Sequence, residues 1–468
     1  MSASLFELLA SRFPAERSAP CFILSDGREI SYGALESAAA RVAGRLIAEG
    51  LRPGDRVALQ AEKSPEAIMI YLGVLMAGAA FVPLNAAYTK SEVDYFLGDA
   101  YPRVFVTDPP TFVREAESAE ALARPVPRDA GDLASLIYTS GTTGRSKGAM
   151  LSHGNLAENA LALHAAWGFT PKDVLLHALP VFHVHGLFVA LHCALLSGAP
   201  MIWLPKFADA EVLTGLKRAT VMMGVPTFYT RLLANPAFNR ESASNIRLFI
   251  SGSAPLLPST FAQFEQCTGQ RILERYGMSE AVIITSNPLE GDRIAGSVGF
   301  PLPGVELRIG GGEETGVIQI RGPSVFSAYW RMPEKTAEEF TADGFFITGD
   351  VGRVDPDGRV WISGRAKDLI ISGGYNVYPK EVELVLDELP GVTESAVIGL
   401  PHPDFGEGVA AICTGKGDEA GIIVAARQQL AAYKLPKRVI FVNDLPRNAM
   451  GKVQKNLLRQ TYATLFQR

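Results

Sequence analysis

The amino-acid sequence predicts an α/β protein whose large N-terminal domain contains parallel-type sheets wrapped by helices. Helix-like and strand-like segments alternate through residues 35–251, as in a parallel sheet covered by helices. Short strands separated by Gly and Pro turns follow, and they indicate a β-rich subdomain at about residues 298–364. The remaining segment mixes helices and strands, which predicts a small α+β C-terminal domain.

The alternation begins with a helix and a strand. Leu35, Val42 and Leu46 recur with a helical period, and Gly50 ends that helix. The run RVALQ at 56–60 is typical of a buried strand. A second helix is expected at 66–76, and further strands are expected at 81–84, 174–178, 200–204, 219–223 and 248–251.

The uncharged stretch at residues 178–205 is long enough to suggest a membrane-spanning helix. It contains His183, His185 and His192, and the Ser-Gly-Ala-Pro run at 197–200 breaks it in two. We therefore interpret it as a buried helix followed by a buried strand.

The second half of the chain changes character. Within the β-rich subdomain, strands are expected at 305–309, 316–320 and 359–362. After Gly364, helices are expected at 380–388 and 421–433, and strands at 394–399 and 438–442.

Composition and charge exclude several classes of partner. The chain has 44 Lys and Arg against 49 Asp and Glu, a net charge of −5, so no overall positive field would hold nucleic acid or an anionic membrane. Anionic substrates must therefore bind to local Lys and Arg side chains.

Cysteine usage and the N-terminus bear on location. Cys21, Cys193, Cys267 and Cys413 are scattered without zinc-ligand spacing, which favours buried, reduced thiols and a cytoplasmic location. Glu7 lies where a signal peptide would be apolar, whereas a transit peptide stays open.

The segment LIYTSGTTGRSKG at 136–148 carries the first chemical signal. An apolar strand leads into a loop of glycines, hydroxyls and the cation Lys147, which together are suited to binding a triphosphate. The chain lacks a Walker A loop and a GxGxxG motif. The loop residues expected to contact phosphate, besides Lys147, are Thr139, Ser140, Gly141, Thr142, Thr143 and Gly144.

This loop resembles the signature loop of the adenylate-forming superfamily, which contains acyl-CoA synthetases, luciferases and the adenylation domains of peptide synthetases. Other motifs of that superfamily follow in the correct order. They are RYGMSE at 275–280, ITGD at 347–350, GRAKD at 364–368, SGGYN at 372–376 and PRNAMGK at 446–452.

Within the superfamily, the sequence is most similar to malonyl-CoA synthetases. The similar segments are VFHVHGLF at 181–188, MGVPTFY at 223–229, YWRMPE at 329–334 and NAMGKVQK at 448–455. Two departures are the apolar run AVII at 281–284, where those enzymes are more polar, and Ser279, which replaces a threonine but keeps the hydroxyl.

The resemblance implies an ATP-dependent acyl-CoA synthetase. A carboxylic acid reacts with ATP to give an acyl-adenylate and pyrophosphate, and coenzyme A then takes the acyl group and releases AMP. Malonate or methylmalonate is the expected acid, with Mg²⁺ as the expected metal. Three alternatives stay open: a ligase for another short-chain or aryl acid, an enzyme that loads a carrier protein, and a non-catalytic binder of nucleotide or acyl-adenylate. Oligomeric state is left open.

The resemblance also assigns residues to the nucleotide. Glu280 is expected to bind Mg²⁺, which prefers one or two carboxylates together with phosphate oxygens. Tyr276 should cover the adenine face, Asp350 should accept the ribose hydroxyls, and Arg365 should lie near the ribose and α-phosphate. The remaining residues expected at the nucleotide are Gly252, Ser253 and Ala254 of the base pocket, together with Gly277 and Ser279.

The C-terminal domain is expected to be mobile, because the family rotates it between the two half-reactions. This places the domains at residues 1–366 and 367–468, with Lys367 as the hinge. Lys452 is expected to meet the carboxylate and α-phosphate oxygens during adenylation. Ser372, Gly373 and Gly374 are expected to line the coenzyme A tunnel, where glycines allow close approach of the backbone.

The acyl pocket is expected to contain His183 and Thr227. A metal site at His183 and His185 is disfavoured, because no third ligand accompanies them at suitable spacing. A buried second carboxylate would need a partner, and a guanidinium offers a bidentate one. Arg247 is the preferred candidate and Arg293 the other, with a structural ion pair as the alternative for each.

Overall fold

A computed structural model describes residues 3–139, 146–312, 314–447 and 452–467. The chain divides into two compact units: Met1–Leu307 with Ile320–Phe346, and Arg308–Gln319 with Ile347–Arg468. Both are built of helices and sheets, which confirms the predicted α/β class.

Local sequence explains where the helices of the first unit begin. The Ser31 side chain accepts the N–H of Ala34 at the start of the second helix, and Thr89 forms a capping box with Glu92 at the fourth. The helices are α1 (Leu5–Ala10), α2 (Tyr32–Ala48), α3 (Pro65–Met76), α4 (Lys90–Ala100), α5 (Pro109–Ala116), α6 (His153–Ala166), α7 (Leu191–Ser197), α8 (Asp209–Leu216), α9 (Pro226–Ala234), α10 (Pro258–Thr268) and α11 (Pro333–Glu338).

Two sheets account for the strands up to residue 301. These strands are β1 (Pro20–Leu24), β2 (Glu29–Ser31), β3 (Arg56–Gln60), β4 (Ala80–Leu84), β5 (Val104–Val106), β6 (Leu133–Thr139), β7 (Lys147–Ser152), β8 (Leu175–His177), β9 (Met201–Trp203), β10 (Val221–Gly224), β11 (Leu248–Ser251), β12 (Leu273–Tyr276), β13 (Thr285–Ser286) and β14 (Phe300–Pro301).

The larger sheet has the order β14-β13-β12-β11-β10-β8-β9-β1-β2, and the smaller one β5-β3-β4-β6-β7. Strands β8 to β12 run parallel to one another, whereas β2, β7, β13 and β14 pair antiparallel with their neighbours. The sheets are thus mixed, with parallel cores. One apolar core cluster includes Leu176, Met222 and Phe249, which are paired across β8, β10 and β11 of the larger sheet.

The expected helix and strand after residue 178 are confirmed, although the helix is irregular. A π-helix at His185–Ala190 leads into α7, and β9 follows. In the part of the chain that the structure describes, no helix is both long and apolar enough to cross a bilayer.

The remaining strands and helices continue in chain order. They are β15 (Glu306–Ile309), β16 (Thr315–Arg321), β17 (Phe346–Val354), β18 (Val360–Arg365), β19 (Ile370–Ser372), β20 (Tyr375–Val377), α12 (Pro379–Leu386), β21 (Val392–His402), β22 (Gly406–Gly415), α13 (Glu419–Ala426), β23 (Arg438–Val442) and α14 (Lys455–Thr461). Strands β15 to β18 form one sheet in chain order, and the other has the order β20-β19-β22-β21, with β23 beside β22.

Helix α13 is shorter than the sequence predicts. The expected helix ran to residue 433, whereas α13 ends at Ala426 and the chain continues in turns. Leu430 and Leu435 nevertheless pack in the same core cluster as Ile422. The apolar pattern therefore reflects burial beyond the end of the helix.

Candidate functional site

Four neighbouring strands of the larger sheet end at a common edge. Strands β8, β10, β11 and β12 are parallel, so the loops after their carboxyl ends gather there, as at ligand sites of open α/β sheets. The predicted residues His183, Thr227, Ser253 and Gly277 lie in or just after these loops. The edge therefore brings together residues predicted for the acyl pocket and for the nucleotide.

The histidine loop is fixed by hydrogen bonds. His183 Nδ1 accepts the N–H of His185 at 3.2 Å, and His185 Nδ1 lies 3.2 Å from the Ser253 hydroxyl. Burial, followed by the nearby positive charge of Arg275, holds the pKa of His185 well below its ordinary value. His185 is therefore a neutral imidazole at neutral pH.

The buried side chain of Lys63 contacts His177, the residue at the end of β8 that leads into this loop. Lys63 Nζ donates to the carbonyls of His177 and Leu204 at 2.6 and 2.7 Å, and it lies 2.8 Å from His177 Nδ1. His177 Nε2 lies 2.9 Å from the carbonyl of Gly186, the second residue of the π-helix. A proton on Nε2 satisfies that carbonyl and leaves Nδ1 to accept from Lys63.

Arg275 is the most distinctive side chain at the edge. It is only 5% exposed, and the described residues offer no hydrogen-bond partner to its Nε or Nη2. Burial lowers the pKa of its guanidinium to about 9, so it stays charged at neutral pH. A Cβ on Gly252 would lie 2.4 Å from the guanidinium carbon, so a larger residue at this position would displace the guanidinium. A buried, unpaired guanidinium strongly favours an anionic ligand.

Two more buried polar atoms, in Ser251 and His185, also lack a hydrogen-bond partner among the described residues. These atoms are the Ser251 hydroxyl oxygen and His185 Nε2, and both side chains are buried. Ser251 pairs with Glu274 in the β11–β12 register, directly before Arg275. The edge thus presents three kinds of donor, and a carboxylate is a group that can accept from all of them.

The backbone is strained on both sides of this cluster. Ser253 and Val282 have φ angles of 68° and 57°, a region that is costly for a β-branched residue such as valine. A Cβ on Gly277 would lie 2.0 Å from the carbonyl oxygen of Val282. The turn between Gly277 and Val282 is therefore tightly folded, and it carries Glu280.

Glu280 and Lys147 belong to one polar network. The Tyr329 hydroxyl donates to Glu280 Oε1 at 3.0 Å and lies 3.4 Å from Glu339 Oε2. Lys147 Nζ pairs with Glu339 Oε1 at 2.8 Å and lies 4.3 Å from the centre of the Tyr329 ring. The structure thus connects the residues predicted for the metal and for the triphosphate.

The phosphate loop itself is described only at its two ends. Thr139 and Lys147 are paired in the β6–β7 hairpin, and the Thr139 hydroxyl donates to the Lys147 carbonyl at 3.4 Å. The predicted residues Ser140, Gly141, Thr142, Thr143 and Gly144 lie outside the described residues.

The other residues predicted to contact the nucleotide differ in how exposed they are. Tyr276, Gly277 and Ser279 are half-buried, and Gly252 is buried, whereas Ala254 is exposed. In the second unit, Asp350 and Arg365 lie opposite each other in β17 and β18, with Arg365 Nε 2.8 Å from Asp350 Oδ1. Their assignment to the ribose stays a prediction.

Three further predictions lie in the second unit. Lys367 is exposed in a short 3₁₀ helix at Ala366–Asp368. Ser372 ends β19, and Gly373 and Gly374, with φ of 60° and 83°, form the two-residue turn to β20. Lys452 is exposed, beside residues 448–451, which lie outside the described residues. Their roles as hinge, tunnel and catalytic lysine stay predictions.

The prediction for Arg247 needs correction. Its Nε and Nη2 donate to the two carboxylate oxygens of Asp173 at 2.7 and 2.9 Å, and its guanidinium also donates to the carbonyls of Trp167 and Gly168. Asp173 already satisfies the charge that a substrate carboxylate would require. The geometry therefore assigns Arg247 to the alternative role, a structural ion pair.

Arg293 is also occupied, although by neutral acceptors. Its guanidinium donates to the carbonyls of Pro288, Arg271 and Leu289 at 3.2, 2.7 and 2.7 Å. This geometry assigns Arg293 to holding its own loop. The Thr227 side chain, expected near the substrate methylene, belongs to an exposed residue in the first turn of α9.

Comparison with known proteins agrees with this geometry. Residues 6–330 match the family model of AMP-binding enzymes, and residues 381–452 match that of the AMP-binding enzyme C-terminal domain. The chain belongs to the AMP-binding enzyme family. The resemblance to adenylate-forming enzymes is thus confirmed.

Among the relatives of this AMP-binding enzyme are ligases for different acids. A malonate–CoA ligase of Arabidopsis thaliana is 35% identical over 98% of this chain and 89% of that protein. A feruloyl-CoA synthase of Amycolatopsis is 36% identical over 93% and 94%. The crystal structure of ATP-bound MatB from Rhodopseudomonas palustris is 50% identical, covers 100% of both chains and has a TM-score of 0.95.

Two residues of the AMP-binding enzyme were not assigned from sequence. Arg275 was read only as part of the RYGMSE motif, and Glu339 follows α11 without a recognised motif. An arginine at the end of a buried strand is a signal that sequence offers, because buried arginines are rare without a partner. Glu339 carried no such signal, since Lys147 and Tyr329, which it contacts at the site, lie 192 and 10 residues away in the chain.

Proposed function

We propose that this chain is an ATP-dependent malonate–CoA ligase that also accepts methylmalonate. In the first step a carboxylate oxygen of the acid attacks the α-phosphorus of ATP, and the bond to the leaving pyrophosphate breaks. In the second step the thiol sulfur of coenzyme A attacks the acyl carbon, AMP leaves, and the thiol proton is released.

The single observation that carries the choice of acid is the buried, unpaired guanidinium of Arg275. Malonate has a second carboxylate that does not react, and burying it without a partner would cost several kcal/mol. Arg275 would bind this carboxylate through Nε and Nη2, in the bidentate geometry that a guanidinium offers. The Ser251 hydroxyl and His185 Nε2 would donate to the remaining lone pairs.

The apolar run at 281–284, which favours a less polar acid, has another explanation. Ala281, Val282, Ile283 and Ile284 are each at most 1% exposed. The side chain of Asn159 donates to the carbonyl of Ile283 at 2.7 Å, which fixes the run in the interior. These residues are apolar because they are packed, and their character supports no particular acid.

The nucleotide would be held by the phosphate loop, Lys147, Tyr276, Asp350 and Arg365, as the resemblance implies. Charge spreads over the phosphates as the α-phosphorus is attacked, and fixed cations stabilise it. Lys452 would supply a positive charge to the reacting carboxylate and α-phosphate oxygens in this step only.

Glu280 suits Mg²⁺ by the chemistry of its donor atoms. Its carboxylate is 6% exposed and is oriented by the Tyr329 hydroxyl, and Mg²⁺ prefers carboxylate and phosphate oxygens. Bound there, the metal would neutralise charge on the phosphates. The Tyr329 hydroxyl, by its hydrogen bond, would keep the Glu280 carboxylate in place for the metal.

Four free cysteines, of which Cys21, Cys193 and Cys413 are buried, support the cytoplasmic location that forms part of this proposal.

The proposal is tested by AMP release from a panel of acids in the presence of coenzyme A and Mg-ATP. Malonate and methylmalonate should give the highest kcat/KM, and butyrate and ferulate much lower values. Arg275→Ala should lower kcat/KM for malonate by about 100-fold, which corresponds to about 3 kcal/mol for a buried charge left unpaired, and should affect butyrate far less.

The matched control is Arg271→Ala, which removes a more exposed arginine of the same segment. It should leave the ratio of malonate to butyrate unchanged. A wild-type preference for butyrate or ferulate, or an equal loss for all acids in Arg275→Ala, would contradict the proposal.

A further inference from the structure

Glu339 occupies the ammonium group of Lys147. The Lys147–Glu339 distance is 2.8 Å, and the two side chains are 9% and 20% exposed. The Tyr329 ring lies 4.3 Å from the same ammonium and covers another side of it. The cation predicted to bind the triphosphate thus already has a well-placed anionic partner.

Backbone hydrogen bonds hold these groups in register. The N–H of Trp330 donates to the Gly148 carbonyl at 2.7 Å, and the N–H of Met150 donates to the Ala328 carbonyl at 3.1 Å. The segment before α11 is therefore paired with β7, the strand that begins at Lys147. The Lys147–Glu339 contact is built into the fold rather than left to two mobile surface side chains.

Glu339 also has a second cation. Lys335 Nζ lies 3.3 Å from Glu339 Oε1, the same oxygen that Lys147 contacts, and 2.9 Å from Glu338 Oε2. If Lys147 turned to another anion, Glu339 would keep Lys335 as its partner. If the Lys147 contact were lost, the half-buried carboxylate of Glu339 would therefore still be paired with Lys335.

We infer that Glu339 stands in for the triphosphate on Lys147 when the nucleotide is absent, and that ATP binding exchanges one anion for the other. The inference rests on the proposed function, in which Lys147 binds the triphosphate. A carboxylate oxygen and a phosphate oxygen are equivalent acceptors for an ammonium group. Glu339 is thus a positioning residue that keeps Lys147 ordered and sets how tightly the β- and γ-phosphates are held.

This exchange has a defined thermodynamic consequence. A group that stabilises the empty state weakens a ligand that must displace it. Glu339→Gln keeps the shape of the side chain and removes its charge. It should therefore tighten Mg-ATP binding by about fivefold, because ATP no longer has to displace an ion pair from Lys147. AMP has no β- or γ-phosphate, so its affinity should stay unchanged.

The experiment is calorimetric titration of Mg-ATP and of AMP without acid or coenzyme A. Wild type, Glu339→Gln and the matched control Glu338→Gln are compared, because Glu338 contacts Lys335 at 2.9 Å and makes no ion pair with Lys147 among the described residues. In a Lys147→Ala background, Glu339→Gln should have no effect on Mg-ATP. Thermal unfolding checks that each variant is folded, and Glu339→Asp, with a shorter carboxylate, provides a second variant.

The outcomes separate this inference from the function on which it rests. Tighter Mg-ATP binding in Glu339→Gln, absent for AMP, for Glu338→Gln and in the Lys147→Ala background, supports the exchange. Equal or weaker Mg-ATP binding in Glu339→Gln, or the same change for AMP, overturns it while ATP binding by wild type stands. Failure of wild type to bind Mg-ATP would instead overturn the proposed function.

Discussion

Arg247 and Asp173 form a bidentate ion pair, in which the guanidinium Nε and Nη2 donate to the two carboxylate oxygens at 2.7 and 2.9 Å. The Asp173 side chain is only 4% exposed, and it also accepts from the Thr220 hydroxyl at 2.7 Å. The pair joins the end of the loop before β8 to the residue before β11. It therefore stabilises the sheet that carries the candidate site.

Arg247→Ala should destabilise the protein without changing its choice of acid. Removing the half-buried arginine leaves the buried Asp173 carboxylate with hydrogen bonds from Thr220 and Thr170 only, at a cost of about 2 kcal/mol. Chemical denaturation should show this loss at pH 7, while the ratio of kcat/KM for malonate to that for butyrate stays at the wild-type value. A selective loss of malonate activity would restore Arg247 as a substrate-binding residue.

The same pair predicts a dependence on acid. Burial raises the pKa of Asp173, but hydrogen bonds from Arg247, Thr220 and Thr170 outweigh it, and the folded-state pKa lies below the ordinary value. Its stabilisation is therefore present above the unfolded pKa, about 4, and is lost as pH falls through the folded pKa. The stability difference between wild type and Arg247→Ala should shrink below about pH 4.

Glu274 should make the protein less stable as pH rises. Burial is the main cause that raises its pKa to about 8, although hydrogen bonds from the N–H groups of Gly296 and Leu256 oppose it. With an unfolded pKa of about 4.3, the folded state holds a proton between these values, so stability falls by up to about 1.4 kcal/mol per pH unit from about pH 5 to pH 8.

Glu274→Gln should remove most of that slope, because an amide does not ionise in this pH range. The variant should keep its fold, since the amide oxygen can still accept from the N–H of Gly296, as Glu274 Oε1 does at 3.1 Å. The check is the free energy of unfolding measured from pH 5 to pH 8.5. Glu265→Gln serves as the control, since Glu265 is 40% exposed and pairs with Arg271. An unchanged slope in Glu274→Gln would show that Glu274 ionises normally.

Lys452→Ala should separate the two half-reactions. The lysine is assigned only to adenylate formation, so pyrophosphate exchange with malonate should fall to background. Thioester formation from supplied malonyl-adenylate and coenzyme A should continue at a rate near that of wild type. If Lys452→Ala lowered the rates of pyrophosphate exchange and thioester formation equally, the assignment of Lys452 to adenylate formation alone would be wrong.

Lys367→Pro should impair the second half-reaction more than the first. Proline fixes φ near the value found in 3₁₀ helices, so the variant can adopt the conformation of Ala366–Asp368 but is restricted in leaving it. The assay compares adenylate formation with thioester formation, and Lys367→Ala is the control that keeps backbone freedom. Normal coenzyme A turnover in the proline variant would rule out a hinge at this residue.

The sequence predicted most of the regular structure. Strands β3, β11 and β23 match their expected limits, because each is a short apolar run between clear turn signals. Antiparallel partners such as β7 were not expected, since apolar periodicity does not report strand direction. The π-helix was likewise not expected, because its apolar residues look the same in sequence as those of an α-helix.

The candidate site was predicted in part, for a physical reason. Motifs identified Lys147 and Glu280, whose residue types are required by phosphate and metal. Recognition of the acid depends instead on which arginines already have a carboxylate partner within the protein. The sequence does not show which arginines are paired in this way. Arg247 directly precedes the buried strand β11 and Arg275 lies in the buried strand β12, yet only Arg247 has a carboxylate partner among the described residues.

The π-helical turn at His185–Ala190 has a consequence for changes of chain length. A π-helix holds more residues per turn than an α-helix, so deleting one residue from its apolar part would let it relax to α-helical geometry. Each residue of an α-helix advances by about 100°, and the His185 imidazole would then turn away from Ser253. Among related enzymes, a different direction of this imidazole should therefore be accompanied by an insertion or deletion in the run, more often than by a substitution.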